Sequence, residues 1–277
     1  YKKLLEIEEG DPEALDALDS LYTLLADWEG LLWALDLKAG YTMGQEGILM
    51  IRRREGEICE DQLGNVGKAI EYYRMALEID PADFSSLSAL ERLYEATEKW
   101  TELVALLQSK LAYLTDNIEK RAAYLKVASI QKEKLNLTDD AISSYMAVLD
   151  DFPEDVEVMR ILDGLLSGEK RWEEYYENLQ RRAKITFDEE EMVQIMLLMG
   201  EVLLGEIQDV DRAIENYRRV LEVRDNEKAC QALETIARKE DYRQTVIAIL
   251  EPIYRRHGDW DRLLALYRLR FEILSDP

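Results

Sequence analysis

The chain has 277 residues, with 58 Asp and Glu against 35 Lys and Arg, giving a formal charge of −23 at pH 7. That balance argues against nucleic acid, whose affinity rests on Lys and Arg neutralising phosphates, and against anionic membrane surfaces. Only five Pro and thirteen Gly interrupt a sequence rich in Ala, Leu, Glu, Lys and Arg, which favours helix, and no apolar run approaches the roughly twenty residues that span a bilayer.

Taken in order, residues 1–7 read as the end of a helix from a preceding module, because Tyr1 and Leu5 stand 72 positions before Tyr73 and Leu77. Asp11-Pro12 then opens a helix, with Pro in the first turn where its missing N–H costs nothing. Leu18 and Tyr22 share one face of that helix. Trp28, Leu31 and Leu35 form the matching stripe of a second helix at i, i+3 and i+7. Only Thr23 to Asp27 lies between the stripes, so the turn is tight and the two helices pair as a hairpin. The signature returns as Leu90, Tyr94, Trp100, Leu103 and Leu107, and again as Leu162, Leu166, Trp172, Tyr175 and Leu179, in steps of 72. Helical spacing assigns the Trp and Tyr series to core packing rather than to a cofactor. Trp33 falls outside the series and is a candidate for exposure to a partner.

A third helix is predicted over residues 45–63, 119–135 and 191–207. Asp116 with Glu119, and Asp188 with Glu191, form capping-box pairs at two of its starts. The acids of residues 188–191 complement the helix dipole there, so they mark a helix start and not a cation site. Gly64, Asn136 and Gln208 follow the three helix ends, the first two being residues that tolerate a left-handed backbone. The fourth helix carries Ala69, Tyr73, Ala76 and Pro81, with counterparts Ala141, Tyr145, Val148 and Pro153, then Ala213, Tyr217 and Val220. Small residues at 69, 141 and 213 permit close helix approach. The expected modules span about 12–80, 81–152, 153–224 and 225–277. The last departs: Leu233, Ala237 and Tyr242 are a worn signature, and a full one restarts at Leu250, Tyr254, Trp260, Leu263 and Tyr267. The intervening helix pair is compressed to one helix around residues 244–256. With Asp276-Pro277 uncapped, both ends read as cut from a longer array.

The pattern Ala-xxx-Tyr-xx-Ala-xxxx-Pro at Ala69, Tyr73, Ala76 and Pro81, preceded by Gly56 and Gly64, resembles the second helix of a tetratricopeptide repeat. The Trp-bearing hairpins resemble degenerate copies of the same repeat. The paired 72-residue unit is similar to long arrays from deltaproteobacteria such as myxobacteria. The resemblance covers the whole chain and implies an all-α, right-handed solenoid of antiparallel hairpins whose first helices line a concave groove. By that geometry, groove-facing positions on the third helices are Arg53, Glu57 and Glu60; Leu125, Ser129 and Lys132; and Leu197, Glu201 and Leu204. Arg53 with Lys132 would accept a carboxylate-bearing peptide, although the basic and Asn residues of a chaperone-type carboxylate clamp are not recognisable.

No phosphate-cradling Gly loop, CxxC or HExxH is present. His257, the sole histidine, sits in an Arg255-Arg256-His257-Gly258 turn without metal-ligating neighbours and reads as a solvated loop residue. Cys59 and Cys230 read as free buried thiols, favouring a reducing, cytoplasmic compartment over a periplasmic one. The expected function is a non-enzymatic scaffold that binds another protein or peptide, with no cofactor or metal. The alternative is a structural spacer whose copies associate end to end.

Overall fold

Side-chain caps fix where most of the helices begin. The fold is that of a computed structural model, which describes residues 1–5 and 10–272. In chain order the helices are α1 (Lys2–Leu5), α2 (Pro12–Leu25), α3 (Trp28–Tyr41), α4 (Gln45–Glu57), α5 (Val66–Ile79), α6 (Phe84–Ala96), α7 (Trp100–Leu111), α8 (Asn117–Glu133) and α9 (Thr138–Asp151). They continue as α10 (Val156–Gly168), α11 (Trp172–Ile185), α12 (Glu189–Val202), α13 (Val210–Val223), α14 (Glu227–Ile236), α15 (Glu240–His257) and α16 (Trp260–Glu272). No strand occurs among the described residues, and the fold is all-α. Residues 6–7 of the first predicted helix, and Asp276-Pro277, on which the reading of the C-terminal end rests, lie outside the described residues.

Asp11 accepts from the Ala14 N–H at 3.1 Å, Asp83 from Ser86 at 3.0 Å and Asp155 from Val158 at 3.2 Å. These three caps stand 72 residues apart. Asp116 and Asp188 cap the predicted third helices, accepting from Glu119 at 2.9 Å and Glu191 at 2.7 Å. Both helices start two residues before the predicted point, because the cap lies at the Asp. Asp27, Asn65, Asp209, Asn226 and Asp259 do the same work elsewhere. Each such cap contributes about 1 kcal/mol. Part of the chain's acidity is therefore architectural.

The turns repeat as strictly as the helices. Ala26, Glu98 and Lys170 adopt φ of 53°, 55° and 57° two residues before Trp28, Trp100 and Trp172, and Gly258 adopts 68° two residues before Trp260. Gly64, Asn136 and Gln208 are left-handed as well, at 61°, 55° and 62°. The helix ends before them are wider than expected: residues Ile58–Gln62 after α4 and Leu203–Ile207 after α12 form π turns. Each is closed by a bond that skips six residues, from Asn65 N–H to Cys59 C=O at 2.7 Å and from Asp209 N–H to Leu203 C=O at 2.9 Å. Leu137 N–H closes on Gln131 C=O at 2.7 Å in the same way.

The chain forms two compact units, residues 1–144 and 145–277. In the first, α2 packs on α3, α3 on α4, α4 on α5, α5 on α6, α6 on α7 and α7 on α8. Its core includes Leu15, Leu18, Leu31, Leu35, Ala69, Tyr73, Leu90, Leu103 and Leu107. In the second, α10 to α16 pack on their sequence neighbours in the same fashion, around Leu162, Leu166, Leu179, Ala213, Tyr217, Leu233 and Leu250. Ala69, Ala141 and Ala213 are all fully buried. Gly56 and Gly200 admit the tyrosines of the following helix: a Cβ at Gly56 would stand 2.7 Å from the Tyr73 ring, and one at Gly200 2.5 Å from Tyr217.

One expectation needs correction. Trp28, Trp100 and Trp172 are half-buried and Trp260 is 67% exposed, so the core of these hairpins is made by the leucines and tyrosines around them. Each Trp is the first residue of its helix, where the side chain covers the preceding turn rather than the helix interface. The compressed region of the last module is the single helix expected there, α15, which runs longer than residues 244–256, from Glu240 to His257 with Pro252 inside it.

Candidate partner-binding surfaces

The first helix of each of the first three Trp hairpins carries an acid at a matching position: Asp19 on α2, Glu91 on α6 and Asp163 on α10, spaced by 72. The second helix answers with a base. Lys38 stands 3.6 Å from Asp19, Lys110 stands 3.0 Å from Glu91, and Arg182 pairs with Asp163. The third helix adds a second base in two copies, Arg54 to Asp19 at 2.7 Å and Lys126 to Glu91 at 2.9 Å. In the remaining copy Leu198 takes that place, and Asn178 donates to Asp163 at 2.7 Å. Burial pushes the Glu91 carboxyl up, but hydrogen bonds from Lys126 and Lys110 overcome it and leave the group below its usual value. At Asp163 burial prevails over Asn178 and Arg182, and the carboxyl is raised. These clamps tie three successive helices together and were not anticipated; acid and base recurring at matched repeat positions was the signal.

The compact basic run is absorbed in the same manner. Arg52 bridges Asp36 and Glu55, both at 2.8 Å. Arg53 reaches Asp83, the α6 cap, at 3.5 Å, and Arg54 holds Asp19. Glu55 is fully buried, and its Oε1 has no partner. Burial pushes its carboxyl up to about 7 against the pull of Arg52. At the matching positions of the other modules stand Val127 and Met199, both buried.

Of the predicted groove residues, Arg53, Glu57 and Glu60 line one cavity of about 370 Å³ between α4 and α6. Arg92 crosses its mouth to Glu60, with Nη2 at 2.9 Å from Oε2, and Tyr73 donates to the same carboxylate at 3.5 Å. On α8, Leu125 and Ser129 are half-buried, the Ser129 hydroxyl donates to the Lys126 carbonyl at 3.0 Å, and Lys132 is exposed. Lys132 does not share the cavity of Arg53. On α12, Glu201 is exposed and Leu204 half-buried, but Leu197 is 4% exposed and belongs to the core. The reason is composition: residues 195–199 of α12 are all apolar, so this helix is enclosed over more of its circumference than α4.

His257 ends α15 instead of lying in a loop, and its Nε2 is 2.8 Å from Asp225. Cys59 and Cys230 are free and buried. Among the described residues no group of His, Cys, Asp and Glu is placed to hold a metal ion, and no helix is long and apolar enough to cross a membrane.

Three tetratricopeptide repeat family models match the chain, over residues 55–83, 86–122 and 122–155. The matched segments cover the end of α4 with α5, α6 with α7, and most of α8 with α9. No curated protein sequence matches. Solved structures similar to the chain include a tetratricopeptide repeat protein from Parabacteroides merdae, 12% identical, covering 86% of this chain and 97% of its own, with a TM-score of 0.35. They also include YrrB, described as a TPR protein with an unusual peptide-binding site, at 13% identity, 67% and 92% coverage and a TM-score of 0.34. MamA is a third, at 14% identity, 62% and 90% coverage and a TM-score of 0.34. The family matches identify tetratricopeptide repeats over residues 55–155, and helical hairpins recur at the same 72-residue spacing on either side of them.

Proposed function

We propose that the chain is a non-enzymatic scaffold that holds a segment of a partner protein against its first-helix face, around the cavity of Arg53, Glu57 and Glu60. One observation carries this reading. Three residues selected from sequence open onto a single cavity that also exposes Ser85, Ser88 and Arg92 from the next hairpin, so α4 and α6 together offer both charges and hydroxyls to an incoming chain. Glu57 and Asp61 are exposed at the rim and have no ion-pair partner among the described residues, which leaves them available to a donor. Rim charges of this type govern partner choice and association rate more than raw affinity.

The test is selection of displayed peptides on the wild-type protein, followed by affinity measurement on Glu57→Lys, Arg53→Glu and Lys132→Glu. Selected peptides are expected to weaken by roughly tenfold, or about 1.4 kcal/mol, on Glu57→Lys or Arg53→Glu. Peptides that bind all three variants as they bind the wild type would remove the assignment to this face. Lys132→Glu reports whether α8 extends the surface.

A further inference from the structure

A second cavity lies on the opposite kind of surface, between the second helices α3 and α5. It measures about 490 Å³ and is lined by Glu29, Trp33, Asp36, Lys68 and Tyr72 among others. Trp33 is 46% exposed, although it stands in the middle of a helix whose Leu31, Leu32, Ala34 and Leu35 are all buried. Its indole is already covered by a cation: the Lys2 ammonium lies 5.2 Å from the ring centroid. Asp36 is held by Arg52, whereas Glu29 has no ion-pair partner among the described residues.

The positions 144 residues further on form a cavity again, about 600 Å³, between α11 and α13. There the chemistry is filled from within. The Arg212 guanidinium stacks 4.6 Å from the Tyr176 ring and pairs with Glu173, the counterpart of Glu29, at 3.0 Å. The middle module has Thr101, Val104 and Ala105 where the α3–α5 cavity has Glu29, Leu32 and Trp33 and the α11–α13 cavity has Glu173, Tyr176 and Glu177, and so lacks both the acid and a ring. A cation laid on an aromatic face beside a carboxylate therefore occurs in both cavities, although the ring moves by one position, Tyr176 being the counterpart of Leu32, and Arg212 is the counterpart of Lys68. In the α11–α13 copy a neighbouring arginine supplies it. In the α3–α5 copy Arg52 lies 5.9 Å from the Tyr72 ring centroid beside Asp36, and Trp33 is covered by the Lys2 side chain, from a four-residue helix.

We propose that the Trp33 cavity is a docking site for a Lys or Arg side chain of a basic partner segment, with the indole and Glu29 as its recognition elements and Lys2 as an internal competitor. An ammonium or guanidinium over an indole gains from the ring quadrupole, and the carboxylate adds charge complementarity. The chain's charge of −23 steers a basic partner toward it. This surface is separate from the first-helix cavity, so the two proposals stand or fall independently.

The probe is a short fluorescein-labelled peptide alternating Lys and Arg with Gly and Ser, titrated by anisotropy at fixed ionic strength. Trp33→Ala and Glu29→Lys are each expected to weaken binding by roughly fivefold, and Trp33→Phe by less, since Phe keeps a ring face. Lys2→Ala should tighten it by roughly twofold by freeing the indole. Glu189→Lys, an equal charge change at an exposed position on α12, is the control for generalised attraction. If Trp33→Ala leaves the affinity unchanged while Glu189→Lys lowers it as much as Glu29→Lys, the peptide is held by net charge alone and the site is refuted. Unchanged circular dichroism of Trp33→Phe and Glu29→Lys keeps folding defects out of the comparison.

Discussion

The α4–α5 and α12–α13 hairpins stand 144 residues apart and share almost every architectural device. Each has a glycine against a tyrosine ring (Gly56 and Tyr73, Gly200 and Tyr217), a π turn at the end of the first helix, a left-handed residue after it, and an Asn or Asp cap on the next helix. They differ most over four positions. Residues 52–55 are Arg, Arg, Arg and Glu, whereas 196–199 are Met, Leu, Leu and Met. One backbone is thus closed by ion pairs in the first unit and by apolar volume in the second. Two solutions of such different chemistry fit the same place because the repeat asks for filled volume and satisfied charge, not for particular residues. The consequence for function is direct: Arg52 and Arg54 are internal fasteners, and of the three arginines only Arg53 reaches the proposed partner cavity.

The largest expected effect breaks the charged solution without replacing it. Arg52→Met leaves Glu55 buried with no counter-charge, and should cost about 3–5 kcal/mol in urea unfolding. Next comes pH. The Glu55 carboxyl is raised from 4.5 to about 7 in the folded chain, so the native state binds the extra proton between those values. Stability contributed by that proton is fully present below pH 4.5 and is lost as pH rises through about 7, on the order of 3 kcal/mol. Glu55→Gln should flatten this part of the stability–pH curve, while Met199→Gln in the matching hairpin should leave its shape unchanged. Gly200→Ala drives a Cβ into the Tyr217 ring and should lower stability by about 1–3 kcal/mol. The smallest effect concerns the turns. Lys170 holds φ of 57° with a side chain, whereas Gly258 meets the same demand without one. Lys170→Gly should raise the unfolding free energy by up to about 1 kcal/mol, and Gly258→Ala should lower it by a similar amount.

The sequence made the period visible because Leu, Tyr, Trp and Ala recur at helical spacing, and a 72-residue step fixes the hairpins before any coordinate is known. The left-handed positions at 26, 98 and 170 were not visible, since Ala, Glu and Lys carry no turn signal; they adopt that backbone because the packed helices on either side determine it. The π turns were hidden for a similar reason, as residues 58–62 and 203–207 continue the helical pattern. Glu55 was legible in principle: Val127 and Met199 at its matching positions mark a core site occupied by a carboxylate. Among the predicted site residues, Arg53, Glu57 and Glu60 meet at one cavity, and Leu197 does not face solvent because its own helix is apolar on that side too.

That ion pairing and apolar packing are interchangeable fillings of one repeat is tested most directly by urea unfolding of Arg52→Met/Glu55→Met, which copies the residues of α12 into α4. Unchanged helix content with an unfolding free energy equal to wild type or up to about 4 kcal/mol higher is the predicted result. A loss as large as that of Arg52→Met alone would contradict it.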